Sequence, residues 1–422
     1  MGRAATALIA GAPDEAGALA SELCALGFSA RPCEPDTLSE RFEAEPADAV
    51  VLMAPAPLPL ARVAISLCGE AEGADAVIAA PAHPMQVAAR LRSLLRLSVL
   101  EDCAALRAQD IGAMGHVINA SKSARPAPAI LYVGPPSPAF MRLQHAMAGA
   151  GAETIAAFST FNAFDYLHER SFDAVVLSTL PTPDLAHTVC SAMRRNTRLY
   201  HTPTVLLAQS EDYGQAAEGF ARGASDIVPA TATAEEMRGR IMALADERQR
   251  RKRAKGRLEA CRLPAILDED TDLFASAFGR AHLGSLLKAA EPGRSPLSVV
   301  SLMVEAPRRV RTATDGHASR ALVQFASMLR HCVRAEDLAV RLDGGRFYLA
   351  LPDTSAAEAR IVASRVVAIA ECTAYESADP MRPFRVEVQF DITQAIPGDS
   401  ADDLLARCFS ELGLQRRELA AV

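Results

Sequence analysis

The chain has 422 residues, with 44 Lys+Arg against 51 Asp+Glu and a formal charge of −7. Half of it is hydrophobic and 23% is charged, which excludes a disordered chain and, at roughly 100–200 residues per domain, allows two to four domains. The acidic total argues against a broad nucleic-acid footprint, and the absence of Trp with only 5% aromatics argues against a base-stacking platform. No apolar run reaches the ~18 residues of a membrane span. The nine Cys lack CxxC spacing and read as reduced thiols, so a cytoplasmic protein is expected.

In chain order, ATALIA (5–10) reads as a buried first strand rather than a signal peptide, because helix breakers and acids follow it. A helical pattern over 14–27 comes next, then the strands DAVVLM (48–53), RVAISL (62–67) and DAVIAA (75–80), and a helix over 84–98 with Arg on its polar face. The pattern then repeats. AILYVG (129–134), a helix over 139–150, ETIAAF and a helix over 161–170 lead to FDAVVLS (172–178), which matches DAVVLM closely. TPTVLLA (202–208), SDIVPA (225–230) and a helix over 234–247 close the series. Alternating strands and helices predict two doubly wound parallel sheets, and duplication is the simplest account. The charged run 245–260 reads as a solvated linker helix, with a DNA-binding arm as the alternative that an acidic chain supports poorly. The third unit holds LSVVSLMVE (297–305), a helix over 318–333, DLAVRLDGGRFYLALP (337–352), a helix over 355–371 and VEVQFDIT (386–393). Its Asp-Gly-Gly between apolar runs signals a hairpin, because glycine tolerates positive φ. The expected domains are 1–105, a linker 106–128, 129–247, a helical linker 248–264, and an α+β domain over 265–422.

Residues 130–247 resemble a flavodoxin-like two-component receiver domain, and 5–100 resemble a shortened one, on the strand order, FDAVVL and the RLRSLLRL last helix. A working receiver needs acids for Mg²⁺ beside a phosphorylatable Asp, and a hydroxyl and a Lys for the phosphoryl group. At those positions stand Gly134-Pro135, Ser178, Ala208 and Pro229 in the second unit, and Gly11-Ala12, Met53 and Ala79 in the first. Asp48 is the nearby acid that a different alignment would use. Only 26 residues separate Met53 from Ala79, so the third and fourth crossover helices of the first unit are expected to be truncated. Both units are expected to be dead to phosphorylation, with degenerate acceptors at Met53 and Ser178.

Residues 268–420 resemble a GGDEF domain, the diguanylate cyclase fold, through RLDGGRFYLALPDT (341–354). The order receiver, receiver, GGDEF is similar to that of the PleD-like and PopA-type family. The resemblance implies catalysis through acids on the first strand and in the turn that hold Mg²⁺. Here Met303 stands at the first-strand acid, Glu305 keeps only the second acidic position, and Arg311 stands at the guanine-reading Asn. The pair expected to follow has become Ser319 or Arg320. The turn reads Asp343-Gly344-Gly345-Arg346-Phe347, with Arg346 in place of the metal-binding Glu. No catalytic residue and no metal are therefore expected, and the retained glycines need signify only a retained turn.

The family's inhibitory site is kept. Arg334-Ala335-Glu336-Asp337 lies five residues before the signature, and Arg365 follows Phe347 by 18 residues. An isolated RxxD more often marks a helix-end ion pair, so the spacing and the second arginine carry the inference. The implied ligand is cyclic di-GMP, with Arg334 and Arg365 on guanine edges or phosphates, Asp337 on the guanine N–H donors, and Lys288 as an outer phosphate contact. The resemblance further implies a homodimer, receivers used for docking, and a cell-pole adaptor whose partners are a second adaptor and a cell-cycle regulator bound for proteolysis. A residual cyclase and a scaffold that binds no nucleotide are the alternatives.

Overall fold

In a computed structural model the protein is described over residues 4–118, 126–180, 183–208, 216–290, 295–311, 316–376 and 381–419. It divides into two compact units, one of residues 4–98 with 122–253, the other of 1–3, 99–121 and 254–422.

The first unit holds two sheets of like topology. Strands β1 (Thr6–Ala10), β2 (Ser29–Cys33), β3 (Ala49–Leu52), β4 (Val63–Ser66) and β5 (Ala76–Val77) lie in the order β2-β1-β3-β4-β5, all parallel. Strands β6 (Ala129–Val133), β7 (Glu153–Ala157), β8 (Ala174–Ser178), β9 (Thr204–Ala208) and β10 (Asp226–Pro229) repeat it as β10-β9-β8-β6-β7. This is the flavodoxin-like order. The continuous apolar runs form these strands because both faces are covered, as in AVVL of β3 and AVVLS of β8, buried throughout. Strand β2, SARPC, shows no such run because it lies at the edge, where Pro32 is tolerated.

The duplication extends to a polar detail. Asp48, at the start of β3, is buried and accepts from Thr6 N and Thr6 Oγ1 at 2.8 and 2.9 Å. Its counterpart Asp173, before β8, accepts from Ala129 N at 3.1 Å. Asp48 thus clamps the N-terminal end of the sheet, and Met53 marks the opposite end. Neither the β3–β4 nor the β4–β5 crossover contains a helix, which bears out the expected truncation.

The helix expected over 84–98 continues as Pro84–Ala113, so residues 106–113 are helical rather than an open linker. The helix at 234–247 and the charged run form one helix, Ala234–Ala260. That run is not simply solvated, since Glu247, Gln249, Arg251, Ala254 and Leu258 are buried in it. None of the helices among the described residues is long and apolar enough to cross a membrane.

The second unit is built on β11 (Phe274–Ala275), β12 (Ser298–Glu305), β13 (Leu338–Arg341), β14 (Arg346–Leu351) and β15 (Glu387–Gln394), in the order β11-β13-β14-β12-β15. The expected hairpin joins β13 and β14, and β12 lies between β14 and β15, antiparallel to both. Helices His317–Cys332 and Ala356–Cys372 cover one face through Phe325, Leu329, Ala363 and Val366. The helix Ser276–Ala289, absent from the sequence reading, covers the other through Phe278, Leu283 and Leu286. A Ser355–Glu358 capping box starts the helix that carries Arg365.

Candidate functional site

The turn after β13 is a closed structure. Gly344 takes φ +49°, and a Cβ on Gly345 would lie 2.1 Å from the Val304 carbonyl oxygen, so the glycines are required by the backbone itself. Val304 N donates to Gly345 O at 2.8 Å, which ties the turn to β12. Arg346 Nε donates to Asp343 Oδ1 at 2.6 Å, and Arg346 Nη2 reaches the other carboxylate oxygen. That pair holds the Asp343 carboxyl below its ordinary value. Met303 registers opposite Arg346 across the β12–β14 ladder, so the two positions expected to carry metal-binding acids are neighbours. Phe347 turns inward, fully buried against Phe325 at 5.2 Å between ring centroids. Glu305 ends β12 and is half-buried. The Arg311 backbone lies in the short helix Arg308–Arg311, but its side chain and residues 312–315 lie outside the described residues.

The loop between helix His317–Cys332 and β13 is organised differently. Arg334 is exposed and Asp337 is buried. Asp337 Oδ2 accepts from Arg334 N at 2.7 Å, whereas Oδ1 is buried with no partner. Burial, with Glu336 beside it, pushes the Asp337 carboxyl up to about 7, against the opposing pull of the Arg334 N–H and of the Arg334 and Arg107 charges.

Arg107 braces this loop from behind. It is fully buried, and its guanidinium donates to the carbonyls of Ala335 at 3.3 Å, Glu336 at 2.8 Å and Asp337 at 3.3 Å. It also lies 5.2 Å from the Phe274 ring centroid. Its Nε faces His282 Nε2 at 3.5 Å, and His282 Nδ1 meets Asp110 Oδ2 at 2.5 Å. Burial lowers the His282 pKa, Asp110 notwithstanding; the neutral tautomer that donates from Nδ1 then accepts from Arg107.

A cavity of about 240 Å³ opens at this loop, lined by Arg107, Lys255, Leu258, Glu259, Arg262, Leu273, Phe274, Arg330, Val333, Arg334, Ala335, Asp337 and Ala339. Arg262 packs over Phe274, and Arg330 pairs with Glu259 and Asp272. Arg365, on the next helix, does not line the cavity; its Nη2 donates to the carbonyl of Cys332, the last residue of the helix before the loop, at 2.7 Å. Lys288 does not line the cavity, being exposed on the last turn of its helix. Sequence reasoning missed Arg107, Arg262, Arg330 and Phe274. The available signal was an arginine on a helix otherwise patterned for burial, which the linker reading passed over.

In the receiver-like sheets, a Cβ on Gly134 would lie 2.4 Å from Ser178 Cβ, and one on Gly11 would lie 2.8 Å from Met53 Cβ. At the C-terminal ends of both sheets a glycine is therefore packed against the residue expected at the acceptor position.

Residues 265–412 match the family model described as diguanylate cyclase, GGDEF domain. The C-terminal part of the chain is thus similar to a GGDEF domain, and flavodoxin-like parallel sheets precede it in the sequence. Among curated proteins it is similar to the response regulator PleD of Caulobacter vibrioides, 24% identical over 220 residues, which are 51% of this chain and 48% of that protein. The chain spans about half the length of the curated relatives it matches. Among solved structures it is similar to the GGDEF domain of DgcB from Caulobacter crescentus in complex with c-di-GMP, at 17% identity, 37% of this chain, 93% of that chain and TM-score 0.34. It is also similar to the diguanylate cyclase SiaD of Pseudomonas aeruginosa in complex with its activator SiaC, at 24% identity, 36% of this chain, 59% of that chain and TM-score 0.34.

Proposed function

We propose that this chain is a cyclic di-GMP-binding effector whose GGDEF domain lacks cyclase activity and binds its ligand at Arg334 and Asp337, with Arg365 beside them. The observation that carries the reading is Asp337 Oδ1, a buried acceptor without a partner at a cavity lined by cations. The guanine N1–H and N2–H donors would satisfy that oxygen, and a guanidinium would grip the O6/N7 edge or a phosphate. Arg262 and Arg330 line the same cavity, with Glu259 paired to Arg330 beside them. Lys288 as an outer contact rests on the resemblance alone.

The loss of cyclase chemistry is supported at the turn. A divalent cation needs oxygen ligands. Met303 offers none, the Asp343 carboxylate is held by Arg346, and Glu305 is the acid that remains on β12. These residues do not fit Mg²⁺. Gly134–Ser178 and Gly11–Met53 packing supports receiver-like sheets that are not phosphorylated; their use for dimerisation and docking rests on the resemblance alone. A polar adaptor role in regulated proteolysis of a cell-cycle regulator, in the cytoplasm, rests on the likeness to PopA-type proteins.

Titration calorimetry with cyclic di-GMP tests the reading. Saturable binding, lost in Arg334→Ala and weakened in Arg365→Ala, is expected; no binding would leave a scaffold without nucleotide. Incubation with GTP and Mg²⁺ should yield no cyclic product, and steady turnover would overturn the inactive assignment.

A further inference from the structure

We propose a second ligand site, in the cleft where helix 84–98 meets helix 234–253, for a small molecule carrying two or more phosphate charges. Both segments belong to one compact unit. They are joined by Arg251 Nη2 donating to Ser93 O at 2.9 Å and by Arg90 and Ser93 both engaging Glu247, and Gln86 Nε2 donates to Asp226 Oδ1 of β10 at 2.7 Å.

Between them opens a cleft of about 310 Å³, within the ~300–1,000 Å³ of small-ligand sites. Six arginines and one carboxylate, Glu247, line it. The carboxylate is already committed to Arg90 and Ser93. In a chain of net charge −7, this is a local concentration of positive charge without matching acids in the lining. Burial lowers the pKa values of Arg194 and Arg248, and for Arg248 the charges of Arg251 and Arg194 act in the same direction. Asp173, which opposes this at Arg248, is held by Lys252 and by Ala129 N. Guanidinium groups keep their protons, so such crowding is relieved by an anion rather than by neutralisation.

A second observation points to the same ligand. Arg248 Nε is a buried donor with no partner. Arg194 is a fixed wall, donating to Gly223 O at 2.9 Å and Thr202 O at 3.0 Å. Arg92 and Arg96 stand one turn apart on helix 84–98, and Arg248 and Arg251 stand i, i+3 on the other helix. The half-exposed Tyr200 ring at the rim offers a flat surface to a nucleotide base.

The test is calorimetry of the full chain with pyrophosphate, GTP and cyclic di-GMP, at low and moderate salt. Saturable pyrophosphate binding is expected, weakened about tenfold by Arg248→Gln and falling about as far as salt rises. Arg96→Ala, an exposed change that spares the fold, should weaken it severalfold, whereas Arg334→Ala should leave it unchanged. Tighter binding of GTP than of pyrophosphate would assign the site to a nucleotide, and equal binding to an inorganic polyphosphate. Absence of saturable binding by both pyrophosphate and GTP would overturn the proposal, as would equal pyrophosphate affinity in wild type, Arg96→Ala and a folded Arg248→Gln. Cyclic di-GMP binding that is absent in the wild type, or unchanged in Arg334→Ala, with retained pyrophosphate binding would overturn the proposed effector reading alone.

Discussion

The turn at 343–347 and the loop at 334–337 flank the same strand, β13, and both carry an arginine three residues from an aspartate. In the turn, the Arg346 side chain closes on Asp343 and both groups face solvent. In the loop, Asp337 takes only the Arg334 backbone N–H and keeps one buried oxygen open, while the Arg334 side chain remains exposed. The same two residue types thus give a self-satisfied ion pair in one place and an unsatisfied acceptor in the other. What separates them is burial and a brace, since Arg107 occupies the loop carbonyls from behind.

The comparison can be broken at four points. The largest expected effect is at Gly345, where Ala would place a methyl against the Val304 carbonyl. Gly345→Ala should cost about 3 kcal/mol or more of stability, seen as a lowered thermal transition; an unchanged transition would mean that the turn is not held as described. Arg107→Ala removes the donors of three loop carbonyls. It should cost about 2–3 kcal/mol and weaken cyclic di-GMP binding although Arg107 need not touch the ligand, and an unchanged affinity would show that the loop needs no brace.

Asp337→Asn tests the open oxygen through pH. The folded carboxyl, raised to about 7 from 3.8, binds more protons than the unfolded one between those values. Wild-type stability should therefore be fullest below about pH 4 as far as this group is concerned, and its contribution should be lost as pH rises through about 7. Thermal melts from acid to neutral pH should show this decline in wild type and a flatter profile in Asp337→Asn. Ligand donors favour the ionised form, so affinity should rise with pH over the same window. The smallest effect is expected at Arg346→Ala, since an exposed ion pair contributes about 0–1 kcal/mol. A large loss of stability there would remove the contrast with the loop.

Much of the fold was legible in the sequence because its strands are buried on both faces and read as unbroken apolar runs. Strand β2 was not, because it is a polar edge strand. The spacing of Arg334, Asp337 and Arg365 had meaning only through the resemblance to GGDEF domains, whereas the Asp-Gly-Gly hairpin was legible because glycine's tolerance of positive φ is a local property. Arg107 was not, because its role depends on a loop more than two hundred positions away in the chain. Nor was the burial of Glu247 and Arg251 within a charged run, which depends on the helix packed across from it. Asp48, the nearby acid that a different alignment would use, clamps the far end of the sheet, a role that only the packed strands reveal.

The central claim is that the RxxD loop binds cyclic di-GMP. Its most direct test is a calorimetric titration of the full chain and of Arg334→Ala with that ligand at neutral pH. The account predicts saturable binding at about micromolar affinity or tighter in the wild type and none in the variant. No binding by the wild type, or the same heat from both proteins, would contradict it.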